Sequence, residues 1–295
     1  MPMTAADPLA ALRPLGAVLT PELVQATYGV VTPLADPLDP AVTRADYDLA
    51  YGPHPRHRLD IYRPASDSAI EAVIIFVHGG GFAGGDKGGE GKPFFANIGA
   101  WAARHGFAAA AMTYRLVPDA QWPSGAEDVA AAIAYVKRNA ETLFGAAPRL
   151  VLAGQSAGAV NVADYFAGRG GPVDEAVAGA VLMSGIYDFT RHDSRTFEDA
   201  YFGSDPARFA DHSTIAALAA CPVPLMFTIA ELDPPHFQRQ AALVVDEWMA
   251  ENGAWPHMHY LPGHNHISPA PLIGSKVDVL GPLMERFVRG VVGEE

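Results

Sequence analysis

Residues 149–167 read RLVLAGQSAGAVNVADYFA: an apolar strand pattern, then Gly154-Gln155-Ser156-Ala157-Gly158, then a helix-forming run. In that strand–turn–helix setting, G-x-S-x-G holds a serine on a sharp turn with its Oγ projecting from the C-terminal end of a sheet. The two glycines leave the space that the neighbouring strand and helix would otherwise occupy, and the helix N-terminus supplies free N–H groups. The chemistry on offer is nucleophilic attack by Ser156. The plainer alternative is a glycine-rich turn whose serine caps a helix.

A serine hydroxyl is a poor nucleophile until a base takes its proton and a third group orients that base. This motif carries the acid and then the histidine downstream. The strand PLMFTIA runs into Glu231-Leu232-Asp233-Pro234-Pro235, which puts Asp233 just past a strand end in a loop stiffened by two prolines. Asp188, beyond the strand ending at Met183, competes for the same role. The histidine comes from HMHYLPGHNHISP, residues 257–269. His266 is the expected base and His264 its rival, both on a loop expected to follow Pro262 and Gly263. His257 and His259 alternate along a strand as a chelating pair would, but no clear carboxylate or thiolate joins them.

HGGGFAGGDKGG, residues 78–89, follows the apolar run VIIFV. So much glycine behind a strand brings backbone N–H groups close to negative charge. Gly79, Gly81 and Gly84 match G-x-G-x-x-G, yet no helix begins there and the next strand ends in Tyr114-Arg115 rather than in an acid. Only Arg115 speaks for a nucleotide phosphate. A triphosphate loop fails as well, because Gly91-Lys92 is followed by Pro93. The alternative is an oxyanion hole built from the amides of Gly80, Gly81 and Ala157. His78 then braces the loop, Gly84 and Gly85 form its turn, and Asp86 and Lys87 have no evident part.

These residues need a sheet to position them. YDLAYG and HRLDIYRP flank GPHP and predict an antiparallel hairpin. Beyond Glu71, strands are expected at 73–77, 107–114, 149–153, 176–183, 224–230 and 257–261. Being apolar throughout, they suit a parallel sheet covered on both faces. Helices are expected over Ser124–Ala140, opened by a Ser124/Glu127 capping box, and over Ala241–Met249 and Val277–Val288. The outcome is one α/β domain over residues 46–295, with residues 1–45 as an N-terminal arm or cap.

Composition narrows the partners. The net charge of −13 without a basic run argues against nucleic acid and anionic membrane surfaces. Cys221, the single cysteine, sits among apolar neighbours as an expected buried thiol and allows no internal disulfide. A poor signal sequence and no membrane-length apolar run lead to an expectation of a soluble cytoplasmic protein.

Four stretches together carry a family resemblance: HGGGFAGGD, YRLVPDAQWPSGAEDVAAAIAYV, GQSAG, and ELDPP with GHNHIS. The chain resembles the α/β-hydrolases, in particular the bacterial esterases of the hormone-sensitive-lipase-like group. That resemblance implies a serine esterase with an Asp and a His, no cofactor and no metal, acting on small carboxylic esters. It also implies that residues 114–136 are scaffold beside the oxyanion loop and that the N-terminal segment contributes to a small cap. Gln155 stands where the group commonly has Asp, and the ending NHIS is more similar to kynurenine-formamidase-like hydrolases, so an arylformamide is the alternative substrate. Phe82, Tyr187, Phe189, Phe197, Tyr201 and Phe202 supply aromatics for a pocket. A nucleotide-dependent oxidoreductase and a non-catalytic binding protein of the same fold are the rivals from other classes. A homodimer is one open arrangement.

Overall fold

A strand buried on both faces must alternate its side chains between two cores, and the third strand does so. In the computed structural model, which describes residues 8–66, 69–192 and 198–293, this strand is β3 (Ala72–Val77). Val73, Ile75 and Val77 enter one cluster with Val129, Ile133, Val136, Val162 and Phe166. Ala72, Ile74 and Phe76 enter the other with Ile98, Trp101, Met284, Phe287 and Val288. The first group comes from helices Ser124–Arg138 and Ala157–Phe166, the second from Ala96–Arg104 and Gly281–Gly293. Helices therefore cover both faces. Truncating one of these large aliphatic side chains to alanine typically costs about 2–5 kcal/mol.

The remaining strands are β1 (Thr43–Ala50), β2 (Arg58–Pro64), β4 (Ala108–Met112), β5 (Arg149–Gln155), β6 (Val177–Met183), β7 (Leu225–Leu232) and β8 (His257–Asn265). Their order in the sheet is β1-β2-β4-β3-β5-β6-β7-β8. β1 and β2 form the expected antiparallel hairpin, β2 runs antiparallel to β4, and every other pairing is parallel. The eight-stranded, mostly parallel α/β architecture is the one the sequence predicts.

Several local expectations need correction, among them the helix expected over Ala241–Met249, which spans Pro235–Asn252. Ser124 is the first residue of its helix rather than its cap, and no side chain caps that end. Glu127 instead accepts from Arg115 Nη2 at 2.8 Å, a charge-assisted bond that a capping box does not match. The last helix starts at Gly281 rather than Val277, because the Asp278 carboxylate accepts from the N–H groups of Leu280 and Gly281. β8 does not stop at Leu261. Its ladder with β7 shifts register after Ala230 and resumes with Leu232 opposite Asn265, so Pro262 and Gly263 mark an irregularity inside the strand.

β1 begins at Thr43, ahead of the expected boundary at residue 46. The described part of the N-terminal segment packs Leu9, Leu12 and Val31 on Leu272. Thr27 Oγ1 accepts from Asn265 Nδ2 at 2.7 Å, and Arg13 grips Glu231 through Nη1 and Nη2. The segment is thereby tied to the C-terminal ends of β7 and β8. Cys221 is half-buried rather than buried, with burial raising its thiol pKa.

Candidate active site

Five strands release one polar residue each at the same edge of the sheet. His78 directly follows β3, Ser156 follows β5, Ser184 follows β6, Asp233 follows β7 and His266 follows β8. In a parallel sheet these ends lie side by side, so residues far apart in sequence converge.

Ser156 sits at φ 55° and ψ −121°, a conformation that L-residues avoid and that neighbours must enforce. A Cβ on Gly154 would lie 2.5 Å from Gly158 O, and one on Gly158 would lie 2.1 Å from Val77 O. Both glycines are therefore required where strand, helix and β3 meet. Ser156 N–H donates to Met183 O at 2.8 Å, which fixes the turn to β6. His266 Nε2 is 2.8 Å from Ser156 Oγ, and its Nδ1 is 2.5 Å from Asp233 Oδ1. Asp233 Oδ2 accepts from Ser184 Oγ at 2.7 Å and from Ala230 N–H at 2.6 Å. Asp233 and His266 are buried, while Ser156 remains partly exposed.

The rival residues have other partners. Asp188 Oδ1 accepts from the Thr190 N–H at 2.9 Å and opens a short 3-10 turn. His264 lies within β8 with its Nδ1 3.0 Å from Ser268 Oγ. Because the strand continues to Asn265, His266 rather than His264 is the first residue beyond its end. The His257 and His259 rings lie 4.7 Å apart on β8. Among the described residues, no three His, Cys, Asp or Glu side chains converge as metal ligands do.

The glycine loop turns sharply past the serine. Gly80, Gly81 and Phe82 all have positive φ, at 131°, 59° and 60°. Ala83 and Gly84 donate to Gly80 O at 3.2 and 3.0 Å, so the turn begins at Gly80. Gly84 needs no glycine on steric grounds, because an added Cβ would meet only Gly80 O at 3.8 Å; Gly85, at φ 96°, does need one. A Cβ on Gly79 would lie 3.2 Å from Ser156 Cβ, so the loop and the serine turn are in contact. Among the described residues, the amides of Gly80, Gly81 and Ala157 donate to no other protein group.

His78 is buried and stacked on Tyr114, with ring centroids 4.5 Å apart. Its Nδ1 is 2.6 Å from Gly79 O, a contact that requires the proton on Nδ1 because a carbonyl only accepts. Burial pushes its pKa down to about 4, so the ring is neutral. Lys87, without a part in the sequence, proves to be a buried cation 2.8 Å from the fully buried Asp60 of β2. It moors the loop to the hairpin, and Asp86 Oδ1 accepts from the Lys87 N–H. Arg115 is engaged by Asp128 and Glu127, which leaves no guanidinium for a nucleotide phosphate there. Tyr114 OH donates to His78 O and Val117 N–H to Phe82 O, so residues 114–136 do pack beside the loop.

Of the aromatics, Phe82, Phe189, Tyr201 and Phe202 share one cluster with Ala157, Val160, Ile229 and Phe237. The Phe82 ring stacks on Tyr201 at 4.3 Å with 1° between planes, and Phe237 lies 4.2 Å from the His266 ring. Tyr187 departs from the expectation. Gln240 accepts from the N–H groups of Tyr187 and Asp188, and the Tyr187 ring packs edge-on against Phe227 in the main core. Phe197 lies outside the described residues.

Sequence reasoning passed over Ser184 entirely and read Gln155 only as a departure. Gln155 Nε2 donates to the carbonyls of His266 and Ile267 at 2.9 and 3.2 Å, holding the histidine turn against β5. Asn265 caps that turn by accepting from Ile267 and Ser268 N–H at 3.1 Å. The Asx-turn pattern Asn-x-x-Ser is a readable signal for it. Ser184 carries none, since its role depends on β6 lying beside β7.

Residues 59–167 match the BD-FAE family model. A probable isoprenylcysteine alpha-carbonyl methylesterase of Oryza sativa subsp. japonica is 36% identical over 111 residues, 38% of this chain and 25% of that protein. The chain thus spans about a quarter of that relative's length. Kynurenine formamidase of Danio rerio is 26% identical over 212 residues, 68% of each chain. Among solved structures, a truncated carbohydrate esterase from gut microbiota superposes with a TM-score of 0.71 at 21% identity, covering 88% of this chain and 99% of that one.

Proposed function

We propose that this chain, which has the α/β-hydrolase fold, is a serine hydrolase that cleaves small carboxylic esters through an acyl-enzyme. The observation that carries this reading is the continuous chain of hydrogen bonds from Ser156 Oγ through His266 to Asp233. In the proposed reaction His266 Nε2 takes the hydroxyl proton as Ser156 Oγ attacks the carbonyl carbon. The His266 Nδ1–H stays hydrogen-bonded to Asp233, whose charge stabilises the imidazolium. The carbonyl oxygen becomes negative within reach of the Gly80, Gly81 and Ala157 amides. One such donor is typically worth about 3 kcal/mol in the transition state. Collapse expels the alcohol with the proton from His266. Water, deprotonated by the same imidazole, then attacks the acyl-enzyme and releases the acid and Ser156.

The same machinery cleaves an arylformamide, with an arylamine leaving instead of an alcohol. The formamidase relative, aligned over 68% of each chain, favours retaining that second reading. The aromatic cluster around Phe82, Phe189, Tyr201 and Phe202 is the proposed substrate pocket, and the N-terminal segment is the proposed cap over the sheet edge.

A fluorophosphonate probe tests the reaction class. Folded wild type is expected to label, and Ser156→Ala is expected not to; an unlabelled wild type overturns the proposal. Nitrophenyl esters of increasing chain length, assayed beside N-formylkynurenine, then separate ester from arylformamide.

A further inference from the structure

Three consecutive residues at positive φ, Gly80 to Phe82, do not hold that shape unaided. What surrounds the loop must impose it. The arm entering the loop is fixed through His78, which donates from Nδ1 to Gly79 O. The arm leaving it returns at Gly85, where an added Cβ would lie 2.4 Å from His78 Nδ1 and 2.2 Å from Gly79 O. The two arms are thus pressed together at the base of the turn.

One side chain reaches both. Arg56, at the tip of the β1–β2 hairpin, donates from Nη2 to Gly85 O at 3.0 Å, with the same nitrogen 3.4 Å from His78 Nε2. Its Nε donates to Tyr114 O at 2.7 Å, two residues beyond β4. Because His78 carries its proton on Nδ1, its Nε2 is an acceptor and suits a guanidinium donor. The hairpin tip is itself anchored. Tyr51 OH donates to Thr113 O at 2.6 Å, and His57 Nε2 is 3.0 Å from the buried Asp128 carboxylate. Arg56 N–H is held by His54 Nδ1 at 3.1 Å. Arg56 lies ahead of residues 59–167, the part of the chain that matches the family model.

We propose that Arg56 is a positioning residue for the oxyanion-binding loop, its guanidinium clamping His78 and Gly85 so that the Gly80 and Gly81 amides point at the developing oxyanion. It touches no reacting atom. A planar fork with donors on Nε and Nη2 spans Tyr114, Gly85 and His78 at once, which a single ammonium group does not. The proposal rests on the serine-hydrolase reading.

The test compares full-length wild type, Arg56→Ala and Arg56→Lys on a short nitrophenyl ester. It includes inhibition by an aryl trifluoromethyl ketone, whose adduct with the serine carries an oxyanion. Losing the clamp is expected to lower kcat about 10- to 100-fold, short of removing a donor outright, with KM within about twofold. Affinity for the ketone is expected to fall by the same factor as kcat/KM, and ethylguanidinium is expected to restore part of the activity of Arg56→Ala. Arg56→Lys, which keeps charge and stem, is expected to fold even where alanine does not and to show the same coupled loss. Unchanged kcat in Arg56→Lys, or a kcat loss with full ketone affinity, overturns the clamp. A wild type that neither labels with fluorophosphonate nor turns over any ester or N-formylkynurenine overturns the hydrolase reading instead.

Discussion

Ser184 Oγ donates to Asp233 Oδ2 over 2.7 Å from a residue held at φ 49°. The hydroxyl and the Ala230 N–H occupy one carboxylate oxygen, which leaves the other for His266. The relationship exists because β6 and β7 are adjacent and parallel, with Ser184 N–H donating to Thr228 O.

Removing that hydroxyl is expected to lower kcat/KM about tenfold, the size of one charge-assisted hydrogen bond. Glycine tolerates positive φ, so Ser184→Gly is expected to keep the melting temperature of wild type while losing activity as Ser184→Ala does. Steady-state kinetics beside a thermal melt check this. Full activity in Ser184→Gly would remove Ser184 from the site.

Gly158 packs against backbone rather than a flexible side chain, with an added Cβ 2.1 Å from Val77 O. Gly158→Ala is expected to destabilise the protein by at least about 1–3 kcal/mol, because helix and strand must part to admit the methyl. Urea unfolding measures it, and an unchanged midpoint counts against the close approach.

Lys87 lies 2.8 Å from Asp60, which is fully buried. Lys87→Met leaves that carboxylate without its cation and is expected to cost about 3–5 kcal/mol. Lys87→Met combined with Asp60→Asn is expected to recover much of the loss. A double-mutant cycle on unfolding free energies decides, and additive losses argue against the pair.

Burial pushes His78 down to about 4 from the ordinary 6.5. Between those values the unfolded chain binds a proton that the native chain does not. Native stability is therefore complete above pH 6.5 and falls as pH drops toward 4. At about 1.4 kcal/mol per unit, the loss attributable to His78 between pH 7 and pH 5 is expected to be about 2 kcal/mol. His78→Asn is expected to flatten the stability profile by that amount, and a profile parallel to wild type refutes the assignment.

Phe202 sits in the cluster with Phe82 and Tyr201, whereas Tyr187 packs in the main core. Phe202→Ala is expected to shift acyl-chain preference toward longer nitrophenyl esters, and Tyr187→Phe to leave it unchanged. An identical chain-length profile for Phe202→Ala would take that cluster out of the pocket.

The sequence by itself determined the sheet and the serine turn at its C-terminal edge. Continuous apolar strands need cover on both faces, and G-x-S-x-G between a strand and a helix leaves its serine one conformation, so Ser156 and its two glycines were legible. Asp233 and His266 followed from chain order, with Asp188 and His264 still in contention. Which of them meet Ser156 is visible only in the tertiary structure, where His266 and Asp233 do, because it depends on where β8 ends and on which carboxylate β7 delivers. The same holds for Gln155, Ser184, Lys87 and Arg56. Their side-chain partners lie 22 to 112 positions away, and contacts made across the fold leave no local pattern in the chain. HGGGFAGGDKGG shows the division most clearly: its glycines announced a tight turn, but the contacts from Arg56 to Gly85 and from Lys87 to Asp60 join it to distant parts of the chain.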